Sequence, residues 1–191
     1  MKHLTGFLAL FLCAALPLYA AGLDDLTWTT TNGEVTITDC DTDATGELVI
    51  PGTIGGNPVT GIGRAAFENC ASLTSVTIPG SVTSIGDIAF NRCSSLTSIA
   101  IPDSVTSIGL LAFWNCSALT TITIPDSVTS IGDYTFSGCT SLTAVTFLGD
   151  APKAGSSVFT FATPTIYRKP EAKGWGNTFA GRPVKLISEK P

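Results

Sequence analysis

The nine residues "IPDSVTSIG" at Ile101–Gly109 recur unchanged at Ile124–Gly132, and "IPGSVTSIG" at Ile78–Gly86 differs from them at one position. The copies begin at Ile78, Ile101 and Ile124, which gives a constant 23-residue period. A fixed period in this range is typical of a solenoid, in which every repeat forms one turn and buries its apolar side against the next turn. The sequence therefore predicts a stack of similar turns whose core is created by the stacking itself.

The same period extends beyond the copied motif. It is kept by two series of residues: Cys70, Cys93, Cys116 and Cys139, and Phe67, Phe90, Phe113, Phe136 and Phe159. Aligned on this period, residues 71–162 divide into four repeats of equal length. Residues 48–70 are interpreted as an expanded first turn, so the predicted solenoid spans residues 48–162.

Alternation of apolar and polar residues predicts the structure within one turn. In "LTSVTIP", Leu73, Val76 and Ile78 are predicted to point inward from a short strand, which Pro79 ends. "SVTSIG" predicts a second short strand, and "DIAFNRC" predicts a tight turn that buries Phe90. The predicted fold is therefore a right-handed stack of β-rich turns in which the invariant letters of the repeat are core and corner positions.

The two ends of an open stack expose unpaired strand edges and apolar surface, so caps are expected. "LTWTTTNGEVTITDC" (Leu26–Cys40) predicts a hairpin with Asn32–Gly33 as its two-residue turn. This hairpin lies in the predicted N-terminal cap, residues 21–47. The period is lost further on, and residues 163–191 are predicted to form the C-terminal cap.

Residues 1–20 have the features of a cleaved secretory signal peptide. A short basic start, "MKH", precedes the apolar run "FLALFLCAALPL", and a small residue stands at the expected cleavage site after Ala20. No second apolar span follows, so the expected mature chain is exported and has no membrane span. His3 is the only histidine, and its removal leaves no imidazole for a catalytic pair or a metal site.

Charge is unevenly distributed along the rest of the chain. Residues 21–150 contain thirteen acidic and two basic residues, whereas residues 151–191 contain two acidic and seven basic ones. An acidic body disfavours nucleic acid as a partner. No pair of carboxylates stands out as the acid and base of a glycosidase. The sequence therefore predicts a protein that is not an enzyme.

The four periodic cysteines are interpreted as small buried thiols. Metal sites need ligands that converge on one point, whereas the constant period aligns the thiols in a row. Parallel side chains on adjacent turns give a disulfide a poor torsion angle. Cys40 raises the number of cysteines after residue 20 to five, so at least one stays unpaired. No metal or cofactor site is predicted.

The run "LTSVTIPGSVTSIGDIAFNRCSSL" (Leu73–Leu96) resembles the BspA-like branch of the leucine-rich-repeat superfamily. The entry "TNGEVTIT" and the exit "GWGNTFAGRP" resemble the capping segments of its bacterial members. The resemblance implies a secreted or surface protein that mediates adhesion or protein–protein contact and has no catalytic residues. The chain departs from the leucine-rich consensus because serines stand near the usual place of the asparagine ladder, namely Ser81, Ser104 and Ser127.

Positions that vary within the constant frame are the candidate contact sites. One turn places Leu110 and Trp114 where its neighbours have charged or polar residues, and Tyr134 follows one turn later. An aromatic residue with an aliphatic neighbour on a polar surface is typical of a binding hot spot. The alternative is that Trp114 folds over its own turn or packs against a loop. Trp28 and Trp175 are expected in the cores of the caps.

The outward side of the longer strand of each turn is a second candidate surface. Its predicted contact residues are Ser75, Thr77, Ser98, Thr121, Thr123 and Thr146. The main hypothesis is an exported, non-enzymatic leucine-rich-repeat solenoid that binds another extracellular protein, as in adhesion at a cell surface. The alternatives are a carbohydrate-binding solenoid and a structural component of a cell envelope or matrix.

Overall fold

The computed structural model of the protein describes residues 21–190, so the predicted signal peptide at residues 1–20 lies outside the described residues. Residues 21–190 contain sixteen strands and two short 3-10 helices, Leu23–Asp25 and Ile187–Glu189. The strands are β1 Leu26–Thr31, β2 Glu34–Cys40, β3 Gly46–Val49, β4 Thr53–Ile54, β5 Asn57–Ile62, β6 Leu73–Thr77, β7 Ser84–Ile85, β8 Ser98–Ala100, β9 Ser107–Ile108, β10 Thr121–Ile124, β11 Ser130–Ile131, β12 Ala144–Phe147, β13 Lys153–Ala154, β14 Thr165–Arg168, β15 Thr178–Phe179 and β16 Arg182–Leu186. Within residues 21–190, no helix is long and apolar enough to cross a membrane.

The strands form two sheets, and each regular turn contributes one strand to each sheet. Sheet A has the order β3-β6-β8-β10-β12-β14-β16-β15. Sheet B has the order β1-β2-β5-β7-β9-β11-β13, with β4 paired to β5. Strands of consecutive turns pair in parallel, and each residue pairs with the residue one repeat later. Examples are Ser75 with Ser98 in sheet A and Ser84 with Ser107 in sheet B. This pairing confirms the predicted repeat solenoid.

The "DIAFNRC" segment forms a third side of each turn, and its amides alternate between two kinds of partner. The amide of Phe90 donates to the Ala112 carbonyl of the next turn at 2.7 Å, whereas the amide of Asn91 donates within its own turn, to Ile88 at 3.0 Å. The buried phenylalanine rings are nearly parallel, with centroids 4.9–5.7 Å apart. They form one continuous column, which consists of Phe67, Phe90, Phe113, Phe136 and Phe159.

Serine hydroxyls hold neighbouring turns together where the asparagine ladder is missing. The Oγ atoms of three serines donate to a backbone carbonyl of the preceding turn at 2.5–2.7 Å, in the pairs Ser81–Val59, Ser104–Val82 and Ser127–Val105. Each of these bonds joins a serine to the turn before it, next to sheet B. Serine therefore supports the backbone at this corner, in place of asparagine.

The periodic cysteines are buried, as predicted, and their thiols are free in the structure. The thiol of Cys93 donates to the Phe67 carbonyl at 3.1 Å, and Cys116 and Cys139 repeat this contact one and two turns later. Burial raises the pKa of the Cys139 thiol to about 12. These thiols therefore act as small core side chains whose weak donors satisfy backbone oxygens.

At the N-terminal end, β1 and β2 form the predicted antiparallel hairpin. Asn32 and Gly33 have φ angles of 53° and 80°, as a two-residue turn with two left-handed positions requires. The expectation that Trp28 is a core residue was wrong, because its side chain is 36% exposed. The physical reason is that β1 is the edge strand of sheet B, and every residue of it after Leu26 is exposed.

At the C-terminal end, sheet A continues beyond the sequence period. β14 pairs in parallel with β12, and β16 pairs in parallel with β14. Trp175 lies against the end of the core, with its ring centroid 4.9 Å from that of Phe147 and 5.1 Å from that of Phe179. Its Nε1 donates to the Gly149 carbonyl at 3.2 Å. Aromatic packing thus covers the last turn of the stack.

Candidate binding surface

Three consecutive tight turns form a shallow depression of about 350 Å³ on the side of the stack that holds the phenylalanine column. It is lined by Asn91, Leu111, Trp114 and Tyr134, which we call the aromatic patch. Tyr134 is 42% exposed, and Leu111 and Trp114 are half-buried. Because three of the four side chains present apolar or aromatic surface, a partner that fills the depression gains free energy from apolar burial.

The repeat register brings these four residues together. Leu111 and Tyr134 occupy the same position in consecutive turns, as do Asn91 and Trp114. The amide of Trp114 donates to the Leu111 carbonyl at 3.1 Å, which places residues three apart on the same side of the tight turn. Two rows of the stack therefore meet at the patch, and each row contributes one residue from each of two neighbouring turns.

Leu111 and Tyr134 both have a left-handed backbone with φ of 55°. Such a conformation costs roughly 1–3 kcal/mol in a residue that is not glycine, and it often marks a functional site. Here, however, the equivalent residues from Ala65 to Ser157 also have positive φ angles. The strain is therefore a property of the repeat, and the patch is distinguished by its side chains alone.

The indole ring of Trp114 is held against the surface by its neighbour in the preceding turn. The Arg92 guanidinium carbon lies 5.2 Å from the centroid of the Trp114 ring, which is a cation–π contact. The Trp114 ring is thus partly covered. This arrangement is intermediate between the two alternatives from the sequence, a fully exposed ring and a ring folded over its own turn. Because this contact restricts the ring before any partner binds, less side-chain entropy is lost on binding.

Asn91 provides the polar group of the patch. Its side chain is only 6% exposed, and its buried Oδ1 accepts no hydrogen bond from any residue between 21 and 190. A buried acceptor without a partner costs about 1–3 kcal/mol. Because this oxygen is buried, the accessible walls of the depression are formed by Leu111, Trp114 and Tyr134. A ligand with apolar or aromatic groups matches these walls.

The structure brings Trp114 and Tyr134 together but places Leu110 elsewhere. Leu110 lines a separate depression beside Asp87 and Asp133, and its amide donates to Asp87 Oδ1 at 2.8 Å. Leu111 occupies the place that the sequence predicts for Leu110. The signal that identifies Leu111 is the register, because it stands one full repeat before Tyr134. The same register identifies Asn91, which stands one full repeat before Trp114.

The predicted Ser/Thr surface is the outward side of sheet A, which we call the strand face. Thr77, Ala100, Thr123 and Thr146 lie in register across four strands. Thr146 is only 7% exposed, because the C-terminal segment covers it and Lys190 Nζ donates to its Oγ1 at 3.2 Å. Of the other predicted residues, Ser75 is half-buried and Thr77, Ser98, Thr121 and Thr123 are exposed.

The comparison with family models identifies the repeat. A family model described as a BspA type leucine-rich repeat region matches residues 60–167 in six copies. This match covers more than half of the chain and includes all four residues of the aromatic patch. No curated protein matches the chain.

Solved structures of bacterial leucine-rich repeat proteins are similar to this chain. A leucine-rich repeat protein of T. pallidum is 31% identical with a TM-score of 0.70, and the match covers 78% of this chain and 71% of that one. One from Bacteroides capillosus is 36% identical with a TM-score of 0.57, covering 64% of this chain and 94% of that one. A leucine-rich cell surface protein of Faecalibacterium prausnitzii is 27% identical with a TM-score of 0.51, covering 81% of this chain and 55% of that one. The chain belongs to the BspA-type leucine-rich repeat family.

Proposed function

We propose that this chain is an exported, non-enzymatic repeat protein that binds another protein at the cell surface through the aromatic patch. The observation that carries the proposal is the shallow depression walled by Leu111, Trp114 and the exposed ring of Tyr134. Apolar groups of the partner cover the two aromatic rings, which is the make-up of a binding hot spot.

The mechanism is display on a rigid frame. The tight turns that hold the patch donate backbone hydrogen bonds to the following turn, such as the 2.9 Å bond from the Phe113 amide to the Thr135 carbonyl. The side chains of Trp114 and Tyr134 are therefore presented in nearly fixed positions, so that binding orders few groups. The signal-peptide features of residues 1–20 support export, and one similar structure belongs to a protein described as a cell surface protein.

Carbohydrate binding is the second candidate, and it would use the same residues. A sugar ring stacks its apolar face on an aromatic side chain while its hydroxyl groups donate hydrogen bonds. Tyr134 offers such a ring, because it is 42% exposed beside Leu111 and Trp114. Protein binding is preferred because one face of Trp114 already carries the Arg92 guanidinium, which leaves less aromatic surface for stacking.

A binding screen tests the proposal. The purified chain is passed over immobilised extracellular-matrix proteins and polysaccharides by surface plasmon resonance, and its oligomeric state is measured by light scattering. We expect a protein ligand bound with a Kd in the micromolar range, since a patch of this size forms a small interface. Binding to polysaccharides alone would favour the second candidate. Absence of binding together with self-association would favour a structural role in an envelope or matrix.

A further inference from the structure

Cys70 begins the cysteine ladder but differs from the members that follow it. The turn before it, residues 41–44, is not of the repeat type and contains no phenylalanine. The Cys70 Sγ therefore lies against the N-terminal hairpin, 3.8 Å from the Cys40 carbonyl oxygen and 3.7 Å from that of Asp41. In the next turn, by comparison, the Sγ of Cys93 is 3.1 Å from the carbonyl oxygen of Phe67. The contacts of the Cys70 thiol are therefore longer than those of the thiol in the next turn, and one of them is to the backbone of Cys40.

Cys40 turns its own thiol to the same place. Its Sγ lies 3.7 Å from the Asp41 carbonyl oxygen, the oxygen that Cys70 Sγ also contacts at 3.7 Å. A side-chain hydrogen-bond interaction with the other thiol raises the pKa of Cys40 and lowers the pKa of Cys70, in keeping with their shared contact at the Asp41 carbonyl oxygen. Both side chains are buried, but Cys40 borders a depression of about 430 Å³ at the end of the stack. The pair thus lies at the edge of the core.

We propose that Cys40 and Cys70 form a disulfide that fastens the N-terminal hairpin to the first turn when the chain folds in an oxidising compartment. Elsewhere in the ladder, cysteines stand in equivalent positions of stacked turns, so that their Cα–Cβ bonds are parallel and the torsion angle of a disulfide is unfavourable. Cys40 belongs to the hairpin rather than to a repeat, so this restriction does not apply to its side chain. The cap needs such a link more than the inner turns do, because it has a neighbouring turn on one side only.

The oxidant is a disulfide, of the class of oxidised glutathione or a thiol–disulfide oxidoreductase. One cysteine thiolate attacks a sulfur of the oxidant and forms a mixed disulfide, which releases the first oxidant thiol. The second cysteine thiolate then attacks the mixed disulfide at the protein sulfur, so that the S–S bond between Cys40 and Cys70 forms and the second oxidant thiol leaves. The two protein sulfurs lose two electrons and two protons, and the two oxidant sulfurs gain them.

Thiol counting after refolding tests the proposal. The full chain, which has six cysteines, is unfolded, reduced, and refolded in a buffer of reduced and oxidised glutathione. It is then denatured and alkylated with N-ethylmaleimide. We expect intact-mass analysis to show four labels, against six for the fully reduced chain, and peptide mapping to join Cys40 to Cys70. The thermal midpoint of the oxidised wild-type chain should exceed that of the reduced chain, because the link restricts the unfolded state.

Two variants make the result specific. Cys40→Ser should take up five labels after the same treatment, and its thermal midpoint should not respond to oxidation. The matched control Cys93→Ser should still lose two thiols to the disulfide and take up three labels. Six labels on the refolded wild-type chain would overturn the proposal. So would the loss of two thiols in Cys40→Ser, or a link between Cys93 and Cys116.

Discussion

Phe113→Ala is expected to lower the free energy of unfolding by roughly 3–5 kcal/mol, the range for a large aromatic side chain removed from a core. Phe113 is fully buried in the middle of the phenylalanine column. Its ring centroid lies 5.3 Å from that of Phe90 and 5.5 Å from that of Phe136. Alanine therefore removes ring contacts on both sides at once. It also leaves a cavity that cannot close, because backbone hydrogen bonds fix the spacing of the turns. Urea unfolding followed by far-UV circular dichroism measures the loss.

Phe161→Ala is the matched control for this prediction. Phe161 lies two residues after the last ring of the column and is 83% exposed. Since it loses little buried surface, its free energy of unfolding should stay within about 0.5 kcal/mol of the wild-type value. A loss for Phe113→Ala no larger than that for Phe161→Ala would show that the column does not carry the stability of the stack.

The second large effect is expected for Gly109→Ala, because one turn lies directly on the next at this corner. A Cβ atom on Gly109 would stand 2.5 Å from the Asp87 amide nitrogen and 2.6 Å from the Gly86 carbonyl carbon. Both are backbone atoms, so relief requires the two turns to separate. Separation weakens the 2.9 Å hydrogen bond from the Gly109 amide to the Ile85 carbonyl. We expect a loss of about 3 kcal/mol, at the upper end of the range for overpacking, measured by the same urea titration.

Gly80→Ala distinguishes this steric effect from the general cost of replacing a glycine. A Cβ atom on Gly80 would meet no heavy atom within 4 Å, and its backbone is not left-handed. Its stability should therefore match that of the wild-type chain within about 0.5 kcal/mol. Equal stabilities of the Gly109→Ala and Gly80→Ala variants would contradict the close contact between turns.

Most of the fold follows from the sequence because each structural requirement recurs in every turn. Inward positions such as Val82 and Ile85 are recognisable as core because three turns repeat them, and both are buried. The positions of the serines that support the backbone could be predicted, but their hydrogen-bond partners could not. Such bonds depend on the exact register between one turn and the next. Non-repeating parts were less predictable. The exposure of Trp28 depends on which strand lies at the edge of sheet B, and composition does not reveal it.

The candidate site was predictable in part. Trp114 stands out because it interrupts a row of polar residues, and Tyr134 follows one turn later. The structure places both in the same depression. Leu110 was preferred to Leu111 because the equivalent residues of neighbouring turns are charged, whereas contact across turns depends on equal position within the repeat. The burial of Thr146 could not be predicted, because it results from the C-terminal segment, through Lys190, that has no repeat register.

The central claim, that constant residues build the frame and Trp114 binds the partner, is tested most directly by the affinity of Trp114→Ser. Its neighbour Phe113 belongs to the frame, so stability and binding are assigned to adjacent residues. For the protein ligand found in the screen, the Kd of Trp114→Ser should rise about tenfold or more. The thermal midpoint should remain within about 2 °C of the wild-type value. Trp28→Ser, which removes an exposed tryptophan from the hairpin, should leave the Kd unchanged. An unchanged Kd for Trp114→Ser, or an equal loss of affinity for Trp28→Ser, would contradict the account.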